Sequence, residues 1–174
     1  MGQLELMSPS LDDAWEPVTI QEAAAFGRLF VDGELGSDYL PMVTVVSRSE
    51  LVELPMLGIS NSAGRMVPNM CFVRNFLMKK LEDGCFDGDF VFISPCSVAV
   101  ALEIMKRNDA RIESVMDVFH NLVDSWNYEL SQMGMDSCYR FSWGFMQAGE
   151  NMMPPIVIRL DRYNYRSDFL NNKC

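Results

Sequence analysis

Tyr139-Arg140-Phe141-Ser142-Trp143-Gly144-Phe145-Met146 alternates aromatic residues with polar, small or flexible ones. After a short connection, Ile156, Ile158 and Leu160 alternate with Val157, Arg159 and Asp161. A period of two puts successive side chains on opposite faces of a sheet, so these are two strands. Ala148 to Pro154 turns the chain between them, which predicts a C-terminal antiparallel hairpin. The stretch before the hairpin has the other period. Ile112, Val115, Met116, Phe119, Leu122, Val123, Trp126, Leu130 and Met133 keep helical spacing from about Asp109 to Met133. At 1.5 Å per residue that helix is about 37 Å long, and Gly134 is placed to end it. A hairpin entered from a helix, without a strand–helix–strand repeat, is the pattern of an α+β domain.

The rest of the chain fits that class. Thr19-Ile20-Gln21-Glu22 is a capping box, in which hydroxyl and carboxylate each satisfy an unpaired backbone amide. Ala23, Phe26 and Phe30 give the helix it opens an apolar stripe, with Gly33 at its end. Met42 to Val46 reads as a strand opened by Pro41. Ser47-Arg48-Ser49-Glu50 repeats the capping-box spacing, so Leu51 to Pro55 reads as a short helix or, nearly as well, as a strand. Residues 58–68 are a loop by composition. Asn69 is placed to cap a helix carrying Met70, Val73, Phe76, Leu77 and Leu81 on one face, with Gly84 as its stop. Asp89-Phe90-Val91-Phe92-Ile93 is a continuous apolar run, as expected of a central strand covered on both faces. Ser94-Pro95 then supplies an N-cap and a first-position proline for a helix that turns Val98, Ala101, Leu102 and Met105 inward. The expectation is a single domain over residues 18–162, with about four helices and a small mixed or antiparallel sheet of about four strands. Residues 1–17 read as a flexible acidic arm and 163–174 as a tail.

With 174 residues, 49% of them apolar and 22% charged, the chain has the composition of one folded domain. Its formal charge is −10, unevenly placed. Residues 1–68 hold 10 acidic and 3 basic groups, against 14 and 11 in residues 69–174. A field of that sign opposes wholesale coating of nucleic acid. Five cysteines (Cys71, Cys85, Cys96, Cys138 and Cys174) make an odd number, with none of the short spacings of zinc knuckles. Free thiols in a reducing intracellular compartment, cytoplasm or nucleus, are the expectation, with no metal. No signal peptide or transmembrane run is evident. Gly2 follows Met1, but Leu6 stands where a myristoylation motif wants Ser or Thr.

Three function classes are weighed. Cys96, where a buried strand meets a helix N-terminus, is the best nucleophile candidate, because the helix dipole favours a thiolate. His120 is the only histidine, flanked by Asp117 and Asp124 at helical spacing. A cysteine hydrolase built from Cys96, His120 and Asp124 is the third-ranked reading, against a small buried thiol and a solvated histidine. There is no phosphate-cradling loop or dinucleotide turn, so no cofactor is expected. Arg159, Arg162, Tyr163, Tyr165 and Arg166 form the only basic and aromatic cluster, a weak nucleic-acid site and the second-ranked reading. Its plain alternative is a strand end whose arginines meet the acidic body. The leading reading is a non-catalytic protein-interaction or self-assembly module, contacting a partner or itself through Trp126, Trp143, Phe145, Met152 and Met153. The 14 methionines and the Met152-Met153-Pro154-Pro155 loop suit an adaptable apolar surface. Viral accessory or structural proteins share this motif-free composition, an analogy of composition alone.

Overall fold

The computed structural model describes residues 17–33, 41–46, 51–59, 66–68, 70–83 and 90–162. The elements run α1 (Ile20–Val31), β1 (Met42–Val46), β2 (Leu51–Pro55), β3 (Leu57–Ile59), β4 (Met66–Pro68), α2 (Cys71–Glu82), β5 (Phe90–Ile93), α3 (Pro95–Asn108), α4 (Val115–Gln132), β6 (Tyr139–Phe145) and β7 (Ile156–Arg162). Five strands form one sheet in the order β2-β1-β5-β7-β6, and β3 and β4 form a separate pair. Every pairing is antiparallel. The class is α+β, as the C-terminal pattern indicates.

Local chemistry explains most boundaries. In α1 the Thr19 amide donates to Glu22 Oε1 at 2.8 Å, and the Glu22 amide donates to Thr19 Oγ1 at 3.0 Å. Gly33 ends this helix at φ +75°, a backbone region that costs glycine nothing. The long helix starts later than its apolar spacing suggests. Ser114 is the N-cap, and its hydroxyl accepts the Asp117 amide while Asp117 reaches back to the Ser114 amide. α4 therefore has 18 residues, about 27 Å. Leu51–Pro55 is a strand rather than a helix, because it completes a five-residue ladder with β1. The composition of 58–68 misleads in part, since its two ends pair as β3 and β4. Asn69, Gly84, residues 1–16 of the 1–17 arm and the 163–174 tail lie outside the described residues.

β5 lies at the centre of the sheet, and all four of its residues are buried. Val91 and Ile93 join the main core with Val43 and Val45 of β1, Phe141 of β6 and Ile156, Ile158 and Leu160 of β7. The inward sides of all four helices belong to the same cluster. The opposite face carries a second, smaller one: Val46, Phe90, Phe92 and Val157, with Met146 against it. α3 is buried over most of its circumference because α1 lies across it. A Cβ added to Gly27 of α1 would sit 2.8 Å from the Ala99 carbonyl oxygen of α3, so only glycine allows this crossing. Ser97, the one buried polar side chain among the described residues, donates to the Met42 carbonyl at 3.3 Å and ties α3 to β1. At the other end, Arg107 pairs with Asp32 at 2.6 Å and Glu103 at 2.8 Å.

The loop between β6 and β7 is tied down. The Met153 amide donates to the Val18 carbonyl, and the Ile20 amide to that of Asn151, both at 2.9 Å. Met153 is consequently 8% exposed and Met152 half-buried, correcting the expectation that both stand out from the loop.

Candidate interaction surface

A five-stranded open sheet has two edges, here β2 and β6, and each presents a row of backbone groups without a strand partner among the described residues. Which residues face outward follows from one bond at each end. The Met56 amide donates to the Pro41 carbonyl, so in the alternating antiparallel ladder Leu54 and Val52 bond to β1. Pro55, Glu53 and Leu51 then face outward. Pro55 has no N–H to offer a new strand, and Glu53 brings a charge. Both are standard protections of an edge.

On β6 the Met146 amide donates to the Pro155 carbonyl, which assigns Gly144, Ser142 and Arg140 to β7. Tyr139, Phe141, Trp143 and Phe145 therefore direct their N–H and C=O groups outward. The Tyr139 amide is taken by the Met135 carbonyl at 3.0 Å. Phe141 is capped by a side chain: Asn127 Oδ1 accepts its amide at 2.8 Å, and Asn127 Nδ2 donates to its carbonyl at 3.0 Å. The amide of Asn127 thus imitates one residue of a sixth strand. Among the described residues Trp143 and Phe145 have no such cap, and their four outward backbone groups meet no partner there.

The side chains at this open end are apolar. Phe145 is 47% exposed, and its ring meets that of half-buried Trp143 edge-on at 5.4 Å. Trp143 in turn lies 6.0 Å from Phe119 of α4. Met116, one turn before Phe119, is 59% exposed. On the other face a Cβ at Gly144 would meet nothing within 4 Å, and a shallow pocket of about 320 Å³ opens there between Ser142, Gln147, Val157 and Arg159. A separate apolar cavity of about 240 Å³ lies between α3 and α4, lined by Met56, Met70, Met105, Phe119 and Leu122 among others.

The interaction residues read from sequence divide. Trp143 and Phe145 sit together on the open edge, and Met152 is half-buried in the tied loop. Trp126 is 2% exposed and packs edge-on against Phe141 at 5.1 Å, so it and Met153 belong to the core and are out of a partner's reach. Helical spacing marks an apolar face but does not say which residues at its margin remain uncovered.

The proposed catalytic set is not assembled by any contact at His120. That ring stands on the solvent side of α4, 3.5 Å from Asp124. Cys96 is half-buried in the first turn of α3 and keeps its thiol. Asp117 is occupied as a cap: the amides of Glu113 and Ser114 hold its carboxyl below the usual range. Among the described residues no group of three His, Cys, Asp or Glu side chains could hold a metal ion. No described helix is long and apolar enough to cross a membrane. Cys138 is disulfide-bonded, which corrects the expectation of free thiols at that position. Spacing along a chain does not reveal a bond that tertiary contact makes.

Of the basic cluster, Arg159 lies 5.9 Å over the Phe90 ring, and Arg162 ends β7. Tyr163, Tyr165 and Arg166 lie outside the described residues. Asn127, Pro55 and Gly144 are the residues sequence reasoning missed. Pro55 alone carried a signal, a proline closing a short apolar run. Compared with known proteins, the chain matches no family model, no curated protein and no solved structure.

Proposed function

We propose that this protein is a non-catalytic interaction module that contacts other protein through the outer end of β6. One observation carries the reading: Phe145, 47% exposed beside half-buried Trp143, stands on a stretch of sheet edge whose backbone donors and acceptors have no partner among the described residues. Aromatic side chains bring large apolar area at small entropic cost, and edge groups bring directional hydrogen bonds. Soluble proteins commonly protect such edges, as this one does at β2 and at Phe141. A stretch left open at one end of β6, on a sheet otherwise protected at its edges, supports a contact surface there.

A photo-crosslinking residue placed at Phe145 tests this in cells expressing the protein, with Tyr128, exposed on α4, as the control position. The expected result is a discrete protein adduct at Phe145 that is missing at Tyr128. Equal, diffuse labelling at both positions would rule the surface out.

A further inference from the structure

We infer that the occupant of the open edge is a second copy of this chain, paired β6 to β6 about a two-fold axis at Gly144. The inference rests on the interaction reading above and names its partner. In an antiparallel pair centred on Gly144, Trp143 faces the partner's Phe145 and Phe145 faces the partner's Trp143. Both are outward-facing residues, so each couple exchanges two main-chain hydrogen bonds. All four uncapped groups of each copy are thereby satisfied. Shifting the axis by one residue toward the N-terminus places Phe141, already bonded to Asn127, in the ladder, and shifting it toward the C-terminus pairs Trp143 with Gln147, beyond the end of β6 at Phe145.

Charge and side-chain chemistry agree with this register. No charged residue lies between Arg140 and Glu150, although the chain as a whole carries −10. Arg140 would face Ala148 of the other copy, so no like charges oppose one another. Trp143 against Phe145 is an aromatic cross-strand couple, made twice. Gly144 meets Gly144 on the other face, where nothing lies within 4 Å of the added Cβ position.

Rigidity favours a second copy over a flexible segment. The open stretch spans only about 7 Å between Trp143 and Phe145. A disordered peptide would lose backbone entropy at every residue it orders for those few bonds. A preformed β6 has no such loss. The pairing is also closed: a two-fold contact uses the same edge of both copies, and the remaining edges are both β2, protected by Pro55 and Glu53. The product is a dimer with a ten-stranded sheet rather than a fibre. So short a contact is smaller than a standard interface, and the dimer is weak and reversible.

Sedimentation of the purified full chain over a wide concentration series is the test. The weight-average mass should rise from 19.8 kDa toward twice that value. Gly144→Lys and Gly144→Asp each place like charges opposite one another at the axis, in space that is empty in the single copy. Each variant alone should stay monomeric at loadings where the native chain is half dimer, and an equimolar mixture of the two should regain the dimer. A native chain that stays monomeric throughout overturns the inference, and so does a dimer indifferent to both variants. In either case a crosslink from Phe145 to a different protein would leave the interaction reading standing. Circular dichroism on each variant confirms that folding is retained.

Discussion

The two edges of the sheet are solved in different ways. β2 is closed by its own sequence, with Pro55 withholding a donor and Glu53 adding a charge. β6 is closed from outside, by the side chain of Asn127 on a neighbouring helix, and only as far as Phe141. The first device protects a strand along its length at almost no structural cost. The second protects one residue and depends on α4 being docked. Edge protection by a side chain is therefore local, and it leaves the Trp143–Phe145 end as the part of the sheet able to accept a partner.

The largest test of this contrast lies beneath each edge. Phe141→Ala removes a fully buried ring that packs against Trp126, and should cost about 3–5 kcal/mol in urea unfolding. Leu54→Ala, half-buried on β2, should cost about 1–2 kcal/mol. Equal losses would mean that β6 is no better anchored than β2.

Next comes the cap. Asn127→Ala strands the amide and carbonyl of Phe141, for an expected loss of about 1–3 kcal/mol. Hydrogen exchange at the Phe141 amide should accelerate, while the amides of Leu54 and Val52 stay as protected as before. Unchanged exchange at Phe141 would show that Asn127 is not the cap.

Pro55→Thr reverses the design at the other edge by restoring an outward donor. With both edges then open, sedimentation should show species larger than a dimer, because pairing through β2 no longer stops growth. A smaller effect is expected from Ser114→Ala, which removes the hydroxyl of the α4 N-cap and should cost about 1 kcal/mol. Since α4 carries Asn127, that loss should reach the β6 edge and spare β2.

The smallest effect concerns pH and is common to both edges. The Arg111 guanidinium, with its backbone amide, pushes Asp109 down to about 2. A carboxyl with a lowered folded pKa stabilises above its unfolded value of 3.8, and that contribution is lost as the pH falls through about 2. Asp109→Asn should flatten the acid limb of the stability curve slightly, without separating the two edges.

Much of the fold was legible in particular residues. Thr19 and Glu22 announced a helix start, and the alternation in 139–145 and 156–161 announced the hairpin with its register face. Phe90 to Ile93 read as central because four consecutive apolar residues need cover on both sides. The start of α4 was misread because Ile112 continues the apolar spacing, while the Ser114–Asp117 cap decides the boundary. Leu51–Pro55 was ambiguous since five residues carry too few turns of either period to decide between them.

The chain's own pattern determined the α+β class, the hairpin and the aromatic character of β6, since these depend on neighbours a few positions apart. Tertiary structure alone decided that Trp126 lies inside while Phe145 lies outside, because burial depends on which element lies across a face. It alone decided that Asn127, with no motif around it, caps Phe141, for their bond joins residues 14 apart on different elements. Whether an edge group has a partner is a property of strand order and docking, and no local pattern in the chain encodes either.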